Sequence, residues 1–121
     1  MRKGRKISGG KYHKPRKKKS YEAPGQNRSV KIGERNSKTK RVLGGNKKTV
    51  LFNIKFINVV ENGKTKKAEI KNVLETPSNR FLARQNIMTK GTIIETSLGK
   101  VKITNRPGQE GVTNGILVKS E

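Results

Sequence analysis

The chain contains no cysteine, no tryptophan and no aspartate. Without thiols it can form no disulfide, no thiolate nucleophile and none of the cysteine-based zinc sites. Its single histidine, His13, has no second histidine, aspartate or cysteine to work with, so the usual catalytic triads cannot be assembled. A lone imidazole is also a poor start for a transition-metal site. All eight acidic residues are glutamates, at positions 22, 34, 61, 69, 75, 95, 110 and 121, and no spacing among them pairs two carboxylates. No apolar run approaches the roughly 20 residues that span a bilayer. The N-terminal stretch has neither the apolar block of a secretory signal nor the apolar face of an organelle presequence. These absences lead us to expect a soluble, intracellular, non-enzymatic chain with no metal, no cofactor and no small-molecule substrate.

What is abundant is positive charge. There are 30 Lys and Arg residues against 8 acids, a formal net charge of +22 over 121 residues. Such a balance says little about fold and much about partners: nucleic acid, an anionic membrane surface or an acidic polymer. The charge is unevenly placed. Residues 1–48 hold 18 basic residues against 2 acids, a balance of +16, and residues 49–121 hold 12 against 6, a balance of +6. Apolar residues do the reverse, since 26 of the 35 lie after position 48. The densest segment, RKGRKISGGKYHKPRKKK (2–19), has ten basic residues, no acid and only Ile7 as an aliphatic side chain.

Two parts follow from this. Residues 1–28, punctuated by Gly4, Gly9, Gly10, Pro15, Pro24 and Gly25, carry no helical or strand period and read as an extended basic arm, disordered when free. Residues 29–121 carry the strand signals. TVLFNIKFINVV (49–60) alternates with Phe52, Ile54 and Phe56 on one face, and Ile57 and Val59 make the far side apolar too, as in a curled sheet. Asn62-Gly63 predicts a type I′ hairpin turn into KTKKAEIKNVLE (64–75), with Ala68, Ile70 and Leu74 inward. Thr76–Asn79 reads as a turn, and RFLARQNIM (80–88) fits either a short helical turn or a strand. TIIETS (92–97), KVKITN (100–105) and NGILVKS (114–120) read as strands, with RPGQEGV (106–112) as a loop. Five to seven short strands at this spacing predict an all-β fold, a small β-barrel or sandwich.

LGGNKKT (43–49) has glycines before Lys-Thr but lacks the Gly-Lys step and the following helix of a nucleotide-binding phosphate loop. It fits better as a Gly-Gly-Asn turn that presents backbone N–H groups, Lys47 and Lys48 to any phosphate. The arm is equipped for a polyanion. Lys and Arg release counterions from phosphates, Arg2, Arg5 and Arg16 fork onto phosphate oxygens, and Tyr12 with His13 offers flat faces to unstacked bases. A membrane role is disfavoured, because neither an amphipathic helix nor a lipidation context accompanies the charge. No helix suits a DNA major groove, although a chromatin-like, non-specific DNA binder remains the alternative. A basic arm on a small barrel suits folded RNA.

The run RKISGGKYHKPRKKKSYE (5–22) resembles the N-terminal motif of a ribosomal family, protein eight of the small subunit in the archaeal and eukaryotic series. VKIGER (30–35), RVLGGNKK (41–48), IMTKG (87–91) and NRPGQEGV (105–112) agree in the same order, and the length is similar to archaeal members. The resemblance implies a structural, non-enzymatic constituent of the small ribosomal subunit, in the cytoplasm. Its partners would be small-subunit ribosomal RNA and neighbouring ribosomal proteins, and its fold a β-barrel with an N-terminal extension. The residues expected at the RNA are first those of the arm: Arg2, Lys3, Arg5, Lys6, Lys11, Tyr12, His13, Lys14, Arg16, Lys17, Lys18 and Lys19. Next come Lys38, Lys40, Arg41, Asn46, Lys47 and Lys48 of the Gly-Gly hairpin. Arg80, Arg84 and Arg106 complete the set on loops.

Overall fold

A computed structural model describes residues 4–118. Nine strands are present among them: β1 (Val30–Ile32), β2 (Asn36–Arg41), β3 (Lys47–Ile54), β4 (Phe56–Glu61), β5 (Lys64–Glu75), β6 (Ile87–Met88), β7 (Ile93–Thr96), β8 (Gly99–Ile103) and β9 (Asn114–Leu117). Strands β4, β5, β7, β8 and β9 close a barrel, and the remaining four form a sheet in the order β2-β3-β1-β6. The all-β barrel expected from the sequence is therefore the fold, with a second small sheet beside it. Two short helices complete it, α1 (Arg80–Arg84) and α2 (Pro107–Glu110).

Closure follows from alternation. Ile57 and Val59 of β4, Ala68 and Ile70 of β5, Ile94 of β7, and Val101 and Ile103 of β8 are buried and face one another inside the barrel. Val30, Leu51, Ile54 and Met88 extend the same apolar cluster into the sheet, so both layers share one core. Each buried Val, Leu, Ile or Met side chain among them contributes about 1.5–3 kcal/mol on burial. Antiparallel pairing carries most of the barrel, and β9 closes it by running parallel to β4, with Val59 opposite Gly115. Closure at that point requires glycine. A Cβ on Gly115 would lie 2.5 Å from Val101 Cγ1 and 2.8 Å from the Lys102 carbonyl oxygen.

Several local expectations are refined. The segment 49–60 is two strands, not one, because the chain bends at Lys55. The bend changes which side chains point inward: Leu51 and Ile57 are buried, Phe52 is only half-buried and Phe56 is exposed. In β5 the register against β7 shifts between Ile70 and Asn72 and again between Val73 and Glu75. These irregularities bury Val73 and leave Leu74, expected inward, exposed. Asn62 and Gly63 have φ of 47° and 76°, the backbone of a type I′ turn. The 80–88 segment is both readings in succession, a helix capped by the Asn79 side chain and then β6. The 106–112 loop contains α2, started by Pro107 at its first position and ended by Gly111 at φ 74°.

Candidate nucleic-acid interface

Residues 4–27 are exposed throughout and belong to neither sheet. They are not featureless. Arg5 and Lys11 form an antiparallel bridge around a turn in which Gly9 has φ 77°. The Lys6 N–H donates to the Gly10 carbonyl and the Gly9 N–H to the Lys6 carbonyl, each at 2.9 Å. The Arg5 guanidinium donates to the Gly9 carbonyl at 3.1 Å. The Lys6 ammonium lies 5.7 Å from the centre of the Tyr12 ring. A second turn, Ser20–Glu22, is held by Glu22, which accepts from the Lys19 N–H and pairs with both terminal nitrogens of Arg16. The Arg16 guanidinium, and then the Lys19 N–H, hold the Glu22 carboxyl below its ordinary value. Arg16 is the one sequence-predicted residue with an acidic partner among the described residues. Arg2 and Lys3 lie outside the described residues.

The Gly-Gly hairpin is built as expected. β2 pairs with β3 so that Lys40 faces Lys48 and Arg41 faces Lys47. Gly44 and Gly45 turn the corner with φ of 76° and 79°, and the Val42 N–H closes it on the Asn46 carbonyl at 2.7 Å. All six residues of β2 are exposed, as suits an edge strand guarded by lysines. Alternation puts Lys38, Lys40 and Lys48 on one face of the pair and Arg41 and Lys47 on the other.

The fold brings the first of these faces against four other segments. A groove of about 500 Å³ is lined by residues 25–28, Lys40, Val50, Ser78, Met88, Thr89, Lys90 and residues 106–109. Four cations line it, Arg28, Lys40, Lys90 and Arg106, and no carboxylate does. The Lys48 ammonium lies 3.5 Å from the amide oxygen of Gln109 on its rim. Arg28 also stacks over the Phe52 ring at 5.5 Å, which orients its guanidinium. Four like charges across one concave surface repel one another and concentrate positive potential, the arrangement that attracts an anionic polymer.

Lys40, Lys48 and Arg106 are thus brought together. Lys38 shares their face further along the hairpin, whereas Arg41, Asn46 and Lys47 lie at its tip or on its other face. Arg80 and Arg84 are exposed at the two ends of α1, and neither lines the groove. Sequence reasoning missed Arg28 and Lys90. Both were visible beside strong signals: Arg28 just before the first strand, and Lys90 inside the IMTKG motif.

Known proteins resemble this chain over nearly its whole length. The family described as ribosomal protein S8e matches residues 1–118. The small ribosomal subunit protein eS8 of Nanoarchaeum equitans is 48% identical, over 98% of this chain and 94% of that protein. Those of Staphylothermus marinus and Sulfolobus acidocaldarius are 49% and 46% identical, each over 95% of this chain and 92% of the relative. With a match that runs from the basic N-terminal segment through the barrel, the chain belongs to the ribosomal protein S8e family.

Proposed function

We propose that this protein is a structural constituent of the small ribosomal subunit that holds ribosomal RNA through two surfaces, the basic arm of residues 1–28 and the cationic groove where the end of that arm meets the 29–121 barrel domain. The role is architectural, not enzymatic, and its place is the cytoplasmic ribosome; its relatives are named as small ribosomal subunit proteins. The observation that carries the reading is the groove, where Arg28, Lys40, Lys90 and Arg106 converge with no carboxylate among them. Cations from four separate segments gain nothing by converging unless an anion fills the space between them. The arm supplies more charge on a backbone that can follow a folded RNA, with Tyr12 and His13 available to unstacked bases. Other ribosomal proteins of the small subunit are the remaining partners.

Two measurements test it. In a sucrose gradient of native extract, the chain co-migrates with the small subunit through a moderate salt wash. With purified small-subunit ribosomal RNA, log affinity falls linearly with log salt, by about 0.7–0.9 per phosphate neutralised. A flat salt profile, or migration with nucleoid DNA, would remove the proposal.

A further inference from the structure

A second cleft, of about 440 Å³, opens where β3 gives way to β4 and is bounded also by Gly111, Val112 and Thr113. Its floor is Phe56. The bend at Lys55 turns this ring out of the barrel while its neighbours Ile57 and Val59 point in. Phe56 is 42% exposed, in a chain with only three phenylalanines. The Lys67 ammonium lies over it, 4.4 Å from the ring centre, and that of Lys55 lies 5.9 Å away. Lys55 is committed to Glu69 at 2.9 Å, whereas Lys67 has no acidic partner among the described residues.

The walls mix apolar and polar groups. Arg35 reaches in from the segment between β1 and β2, its Nη2 3.4 Å from the Gly111 carbonyl oxygen. Glu34 supplies a carboxylate. Thr113 is 1% exposed, lines the cleft, and its hydroxyl has no hydrogen-bond partner among the described residues.

From this geometry we infer that the Phe56 cleft receives one unstacked nucleotide of a single-stranded RNA segment. The base stacks on Phe56, and Lys67 and Arg35 neutralise the adjoining phosphate. A base on Phe56 replaces a cation–π contact with a stacking contact and leaves the Lys67 ammonium beside the backbone. Glu34 accepts from an exocyclic amino group of the base. The cleft volume falls in the roughly 300–1,000 Å³ range of small-molecule sites. The inference rests on the RNA-binding reading and adds to it a base-recognising site that shares no lining residue with the four-cation groove.

The test uses the full chain with 4-fluorophenylalanine at positions 52, 56 and 81, the Phe56 resonance being assigned with Phe56→Leu. The probes are heptaadenylate and inorganic polyphosphate, a polyanion without bases. The Phe56 fluorine resonance shifts with heptaadenylate and stays in place with polyphosphate. Lys67→Gln raises the midpoint of that shift about tenfold, the loss of one charge-assisted contact. A Phe56 resonance unmoved while the RNA binds elsewhere, or moved equally by polyphosphate, overturns this inference and leaves the RNA-binding reading standing. Failure of the chain to bind either heptaadenylate or folded ribosomal RNA overturns both.

Discussion

The N-terminal segment and the barrel use lysine in opposite ways. In residues 4–27 every residue is exposed and no apolar cluster exists, so charge is the only long-range interaction available. In the barrel, charged residues occupy the outward half of an alternating pattern whose inward half is the core. Glu61 pairs with Lys66 and Glu69 with Lys55, which leaves a mixed surface. The groove lies where the two regimes meet. Residues 25–28 end the first segment, and the barrel-side loops supply Lys90 and Arg106. The contrast teaches that cations distant in sequence converge only where a core holds their backbones, whereas in residues 4–27 only near neighbours are tied together.

Removing the arm is the largest break in that comparison. Deletion of residues 1–20 should lower affinity for small-subunit ribosomal RNA by at least about a hundredfold. The far-ultraviolet circular dichroism of the barrel should stay essentially the same. An equally tight truncated protein would assign all binding to the barrel. The converse break is Ile57→Ala, which empties the barrel centre and should cost about 2–5 kcal/mol in urea unfolding. Below its unfolding transition this variant should bind RNA normally, and a parallel loss of affinity would show that folding and binding are not separable here.

Smaller effects sharpen the boundary between the regions. The double variant Lys40→Gln/Arg106→Gln should weaken RNA binding about tenfold and reduce the salt slope by about one per cation removed. An unchanged slope would take the groove out of contact with phosphate. The smallest effect concerns Glu22. Its carboxyl is held below the ordinary value, mainly by Arg16 and then by the Lys19 N–H, so the clasp is present at neutral pH and is lost as pH falls through the lowered value. Carbon-detected titration of Glu22 should show this downward shift, and an ordinary titration would mean the clasp does not form in solution. Glu22→Gln frees Arg16 and should tighten RNA binding by less than about threefold.

Composition and short-range pattern were enough to read an all-β fold, the Asn62-Gly63 turn, the Gly44-Gly45 corner and the charged arm. Each depends on interactions within a few residues: period-two alternation, the positive φ that asparagine and glycine tolerate, or the absence of apolar side chains. The motif resemblance, spread over most of the chain, gave the family. The face of β3 and β4 was not legible, because the bend at Lys55 changes the parity that alternation depends on. Nor was the exposure of Leu74, since register shifts against β7 reset which side of β5 points inward. The α2 helix was hidden in a Pro-Gly loop, although Pro107 at its start and Gly111 at its end were local signals for it.

What no local pattern could reveal is which residues become neighbours. Arg28, Lys40, Lys90 and Arg106 are separated by up to 78 positions and converge only because β1, the β2–β3 hairpin, β6 and α2 pack around one core. The outward turn of Phe56 beneath Lys67 likewise depends on a cross-strand register, Asn58 opposite Lys67, set by the hairpin at Asn62-Gly63. Charge, turn chemistry and periodicity are properties of the chain, and they determined fold class and partner class. The two concave surfaces exist because strand closure, the Lys55 bend and the approach allowed at Gly115 bring distant segments together.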